Sequence, residues 1–145
     1  MSRKSKKDVN SRFLVPALGN ELILVENKID EETEHENPLL TTMLKSILNE
    51  KGKMIRPTLS LLGGKTGNYN IDALVPLAAS VELLHTATLV HDDVIDSASL
   101  RRGKPSSAME FNNKNSILIG DYLFATAASF IAETNNVRLI SLFSR

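Results

Sequence analysis

An all-α fold is predicted by three observations. Apolar residues recur at steps of three and four along nearly every segment. Asparagine, proline and glycine stand where such segments would start and stop, and no run shows the alternation of a half-buried strand.

The elements follow in order. Leu18, Leu22, Val25 and Ile29 draw one stripe down a first helix, which fades into a solvated acidic end (Asp30, Glu31, Glu32, Glu34, Glu36). Asn37-Pro38 opens a second helix, because Asn caps and Pro fits a first turn. Leu40, Met43, Leu44, Ile47 and Leu48 carry it to Asn49, and Glu50-Lys51-Gly52-Lys53 breaks the pattern. A third helix is expected to begin near Arg56, with Pro57 in its first turn, and to end at Gly63-Gly64 and Gly67-Asn68. The fourth runs from Ile71 to about Ile95 through Leu74, Leu77, Ala78, Val81, Leu84 and Leu89. Ser97 to Pro105 reads as a loop, and another helix is expected from about Ser116 to Glu133. After Asn135-Asn136, a last amphipathic stretch (Val137, Leu139, Ile140, Phe143) stops at Arg145 without a closing signal. Residues 1–10 are expected to be a basic flexible tail, and 11–145 part of a single all-α domain whose last helix looks cut.

Composition narrows the function. At 145 residues, 42% hydrophobic and 23% charged, the chain suits one globular domain. Its 17 Lys+Arg balance 17 Asp+Glu, so no global field draws nucleic acid or an anionic membrane. With no Cys there is no disulfide framework, zinc ribbon or thiol nucleophile. No apolar run approaches the ~20 residues of a membrane span, and MSRKSKKDVN leads into no signal-peptide core. No transmembrane segment and a cytoplasmic location are the expectation. The tail cations Arg3, Lys4, Lys6 and Lys7 lack an apolar partner face and are read as solvated.

The strongest local feature is His91-Asp92-Asp93-Val94-Ile95-Asp96. Asp92 and Asp96 are four apart and share a helix face, which suits two oxygen ligands on a hard cation. Magnesium takes one or two carboxylates, keeps waters and binds substrate phosphates on its remaining positions. The plain alternative is an acidic helix end in solvent. Arg101 and Arg102 beside Gly103 weaken that alternative, because paired guanidinium groups grip phosphate bidentately. A second basic cluster, Lys53 and Arg56, stands at a helix start, where free N–H groups also favour anions. Two basic clusters and one metal site suggest two phosphorylated substrates. His85 lies two turns before Asp92 on the same face, either packed in the core or part of the site.

These segments (GKMIRP at 52–57, ELLHTATLVHDDVID at 82–96, RRGKP at 101–105 and GDYLF at 120–124) resemble the trans-isoprenyl, or polyprenyl, diphosphate synthase family in order and spacing. The resemblance implies the N-terminal part of the isoprenoid-synthase helical bundle around a central cavity, usually in a homodimer. It implies Mg²⁺-dependent joining of an allylic diphosphate to isopentenyl diphosphate. Asp92 and Asp96 match the magnesium ligands, and Asp93 is the middle member of the aspartate-rich catalytic motif. Arg101 matches the residue that holds the allylic diphosphate; Lys53, Arg56, His85 and Arg102 match those that hold isopentenyl diphosphate. Ala87 and Thr88 match the chain-length pocket, where aromatic side chains block growth in short-chain members, so small residues imply a medium- or long-chain product. The family's second aspartate-rich motif has no counterpart after Asp121, so the chain alone is expected to be inactive and to be truncated or split. Two other readings stand beside this one. One is a non-catalytic or split subunit that depends on a partner chain for the missing half. The other is an HD-type metal-dependent phosphohydrolase built on His91-Asp92, which would need an upstream His and a distant Asp as further ligands; His35 and His85 are poorly disposed for that.

Overall fold

The computed structural model describes residues 11–49 and 52–144. The expected basic tail over 1–10, Glu50-Lys51 of the break and Arg145 lie outside the described residues.

The fold is helical, as its periodicity requires. A 3₁₀ turn (Pro16–Leu18) leads into α1 (Gly19–Glu31), followed by α2 (Pro38–Leu48), α3 (Ile55–Gly64) and the long α4 (Ile71–Ile95). After a hairpin come a short α5 (Ser107–Phe111), a long α6 (Asn113–Glu133) and α7 (Val137–Phe143). The first stripe is confirmed, with Leu18 at the end of the 3₁₀ turn and Leu22, Val25 and Ile29 of α1 all buried. Asn37 caps α2 as expected: its side-chain oxygen accepts from the Leu39 amide at 2.9 Å and the Leu40 amide at 3.4 Å. Asn70 does the same for α4 through the Asp72 amide at 3.1 Å.

Three expectations need correction. The loop from Ser97 to Pro105 contains an antiparallel pair, β1 (Leu100–Arg101) and β2 (Lys104–Pro105), in the register Leu100 to Pro105 and Arg101 to Lys104. Two-residue strands are too short to leave an alternating pattern. The helix expected from Ser116 begins at Asn113, capped by Asn112, whose side chain accepts from the Asn115 amide at 3.0 Å. Finally, α4 and α6 are each long and apolar enough to cross a membrane, because scattered polar residues hide their length from a search for uninterrupted apolar runs.

Here those two helices are the core pair. They share the most extensive contact in the fold, and α4 also packs against α3 and α1. Leu74, Ala78, Leu83, Ala87 and Val90 of α4 meet Ile119, Leu123, Ala127 and Phe130 of α6 in one buried cluster with the α1 and α2 stripes. A central α4 gripped from several sides offers a rigid rail for whatever side chains project from its remaining face.

Candidate functional site

One cleft of about 520 Å³ opens between the start of α3, the middle of α4 and the hairpin. Its walls bring together Lys53, Arg56, His85, Asp93, Arg101 and Arg102. The two basic clusters that stand apart in sequence therefore share a single space. Each is aimed by backbone geometry. Met54 turns left-handed (φ 51°) and caps α3 without a side-chain bond, which leaves Lys53 and Arg56 exposed around the free N–H groups of that helix start. At the hairpin, Arg102 (φ 50°) and Gly103 (φ 83°) both lie in the left-handed region, the pattern of a tight type I′ turn. Glycine adopts that conformation freely, whereas Arg102 bears its strain. The turn swings the Arg102 guanidinium over the backbone of Gly52, whose missing Cβ would lie 3.8 Å from Nη1.

The aspartates separate. Asp92 and Asp96 are exposed and do not line the cleft; Asp92 stands in the last turn of α4 and Asp96 caps its end, its amide donating to the Asp92 carbonyl at 2.8 Å. Asp93 is buried, 3% exposed, because it extends the apolar stripe of Leu83, Ala87 and Val90. Its carboxylate takes the Arg101 guanidinium: Nε donates to both oxygens at 2.9 Å and Nη2 lies 2.7 Å from Oδ1. Arg101 Nη2 also donates to the Leu89 carbonyl at 3.3 Å. The hydrogen bond to Asp93 holds the Arg101 pKa above its ordinary value. Asp93 thus fixes Arg101, and Arg101 fixes the hairpin, rather than Asp93 standing open to substrate.

His85 is half-buried in the cleft wall, and its pKa is lowered by burial and then by Arg56, Arg101 and Arg102, against a weaker pull from Asp92. It is neutral at pH 7, a hydrogen-bonding group rather than another cation. Glu82, one turn earlier, also lines the cleft. Its Oε2 is buried with no hydrogen-bond partner, and burial raises its pKa against the attraction of Arg56 and Arg102. Sequence reasoning passed over Glu82, although its three-residue spacing from His85 was the signal. The same holds for Ser46 and Glu110, whose side chains bond at 2.9 Å across one end of the cleft. Neither Ala87 nor Thr88 lines this space. Ala87 is wholly buried in the α4–α6 core, so a larger side chain there would push against packed helices before it reached the cleft.

Among the described residues no group of three or more His, Asp or Glu converges as a metal cage. His91, the histidine of the HD-type alternative, lies against α6, with Nε2 3.1 Å from the Ile117 carbonyl oxygen. Two exposed carboxylates one turn apart do fit a hard divalent cation that completes its shell with water and phosphate oxygens.

A helical rail that carries two such carboxylates beside a cleft rich in arginine suits anionic ligands. Residues 37–145 match the polyprenyl synthetase family model, and the chain belongs to that family. It is 32% identical over 138 residues to heptaprenyl diphosphate synthase component 2 of Bacillus subtilis, covering 95% of this chain and 40% of that one. The decaprenyl diphosphate synthase structure from Rhodobacter capsulatus superposes with a TM-score of 0.84 at 36% identity, over 93% of this chain and 42% of that chain. A polyprenyl synthase from Caulobacter crescentus, solved with calcium and isoprenyl diphosphate, gives 0.85 at 32% identity, over 94% and 41%. The chain therefore spans about two fifths of the length of these relatives, and the expected likeness to an N-terminal portion of the bundle is confirmed.

Proposed function

We propose that this chain is the diphosphate-gathering portion of a prenyltransferase that condenses an allylic diphosphate with isopentenyl diphosphate. The observation that carries this reading is the convergence of Lys53, Arg56, Arg101 and Arg102 on one cleft beside the Asp92–Asp96 turn. Lys53, Arg56 and Arg102 surround the homoallylic diphosphate with charge-assisted hydrogen bonds, each worth about 1.5–3 kcal/mol. Neutral His85 adds a directional hydrogen bond from the cleft wall. Arg101, already oriented by Asp93, turns its remaining N–H groups toward the allylic diphosphate. Asp92 and Asp96 would hold Mg²⁺, which when bound would supply positive charge to the leaving diphosphate. The allylic C–O bond breaks with release of diphosphate, the isopentenyl double bond attacks the allylic carbon to form the new C–C bond, and the proton then lost passes to the released diphosphate or to water. The protein's share is position and fixed charge.

Completion of the site falls to chemistry outside these two carboxylates, supplied by a longer form of this chain or by a partner. The Bacillus relative is a component 2, which favours a partner chain. The names heptaprenyl and decaprenyl support a medium- or long-chain product. A cytoplasmic setting, facing soluble diphosphates, belongs to the same proposal.

Calorimetric titration with inorganic pyrophosphate tests the reading. Binding is expected to tighten when Mg²⁺ is added, and Arg56→Ala is expected to weaken it about tenfold, or 1.4 kcal/mol. Indifference to both Mg²⁺ and Arg56 would overturn it. Transfer of labelled isopentenyl units by the material that co-purifies with the chain then separates a partnered enzyme from an inert fragment.

A further inference from the structure

Gly120 stands in the interior of α6, where glycine is a poor choice unless something needs the space. That something is His91. A Cβ on Gly120 would lie 2.1 Å from His91 Nε2, 2.4 Å from Cδ2 and 2.9 Å from Cε1, so the edge of the imidazole rests on bare helix backbone. The ring is gripped on both sides of this contact. Nε2 is 3.1 Å from the Ile117 carbonyl oxygen and 3.5 Å from Asp121 Oδ1, and the ring stacks on Phe124 with centroids 5.6 Å apart at 29°. Ile117, Gly120, Asp121 and Phe124 are spaced as one face of α6 over two turns. His91 does not line the cleft, and no step of the proposed reaction uses it.

We propose that His91 is a positioning residue: seated in the Gly120 notch, it pins the last turns of α4 to α6 and so sets the height and rotation of the Asp92 and Asp96 carboxylates. The inference rests on the reading of those carboxylates as metal ligands. Its physical basis is direct. Asp92 is the next residue, so any sliding or rolling of α4 against α6 moves its carboxylate by the same amount. Two carboxylates that would hold one metal ion must keep their mutual aim, and a misplacement near 1 Å can cost about a hundredfold in rate. Deeper packing holds α4 in the bundle as far as Val90 and Asp93, but Asp92, Val94, Ile95 and Asp96 at its end are exposed or only partly buried. His91 supplies the directional grip there.

The test uses the chain as purified, with any partner that accompanies it. Mn²⁺ binding in the presence of pyrophosphate is followed by electron paramagnetic resonance, metal-free pyrophosphate binding by calorimetry, and folding by the thermal midpoint. Gly120→Ala, which evicts the ring, and His91→Leu, which cannot donate, are expected to weaken Mn²⁺ binding at least tenfold. Metal-free pyrophosphate binding is expected to stay within twofold. His91→Gln, whose amide can donate to the Ile117 carbonyl, is expected to recover most of the loss. The double variant His91→Ala with Gly120→Ala refills the notch with a methyl group, so it keeps the fold where either single change unfolds it, yet is expected to bind Mn²⁺ weakly. Wild-type Mn²⁺ affinity in His91→Leu or in the double variant would overturn the proposal, as would failure of His91→Gln to recover any of it. If the unaltered protein takes up no Mn²⁺ with pyrophosphate, the metal reading itself fails and this inference falls with it.

Discussion

Replacing Arg101 by Met would strip the counter-charge from a carboxylate that the fold keeps almost wholly out of water. The Asp93 side chain is 4% exposed and the Arg101 side chain 34%. Breaking a buried pair by removing one partner costs about 3–5 kcal/mol, because the other charge stays buried and unpaired. Arg101 is partly exposed, so water can follow into the space it leaves, and the low end, about 3 kcal/mol, is the working figure. The reciprocal change, Asp93→Ala, strands a guanidinium that can swing outward while keeping its bond to the Leu89 carbonyl, at a cost of about 1–2 kcal/mol. The asymmetry is therefore the measurable quantity. In urea unfolding with a slope near 2 kcal/mol per molar, Arg101→Met is expected to lower the midpoint by about 1.5 M and Asp93→Ala by less than about 1 M. The double variant should cost less than the sum of the two. Equal shifts, or a fall smaller than about 0.3 M for Arg101→Met, would refute the account of this pair.

Two further outcomes follow from groups inside the fold. Burial places the Glu82 pKa above its ordinary 4.5, so the folded state takes up a proton there more readily than the unfolded chain. The stabilisation that proton brings is complete below about pH 4.5 and lost as pH rises through the elevated value. Glu82→Gln should accordingly raise the thermal midpoint at pH 7 and give no gain at pH 4; a gain that persists in acid would contradict this. Leu123 of α6 is 0% exposed, so Leu123→Ala is expected to cost about 2–5 kcal/mol in urea unfolding. Leu118, five residues earlier but 57% exposed, should change stability by less than about 0.5 kcal/mol on the same substitution.

Much of the fold was readable because its signals are local. The stripe of Leu18, Leu22, Val25 and Ile29, the Asn37 cap and the bounds of α4 each depend on neighbours within one or two turns. What escaped were elements too short to repeat: α5, five residues behind the Ser106 cap, and the two-residue strands. Arg102-Gly103 was the trace of the hairpin, since a turn with positive φ at both central positions is what joins such strands. At the site, the linear motifs supplied the cations, and the fold brings both clusters to one cleft. They did not say which way each aspartate points. Helix phase does: Asp93 falls three residues after Val90 and six after Ala87, on the buried stripe, whereas Asp92 is turned about 100° away from it. Glu82 was missed for the opposite reason, since it lay inside a segment read for its resemblance and was given no task of its own.

The Arg102 turn sets stability against function at a single backbone position. A type I′ turn prefers Asn-Gly, and Arg102→Asn would relieve left-handed strain worth about 1 kcal/mol while deleting a guanidinium from the cleft. Selection for heat tolerance would therefore favour the asparagine and discard the cation. If the cleft gathers diphosphates, a library of this chain ranked by melting temperature alone should drift toward better-folded molecules that grip their ligand less well, with the divergence beginning at residue 102.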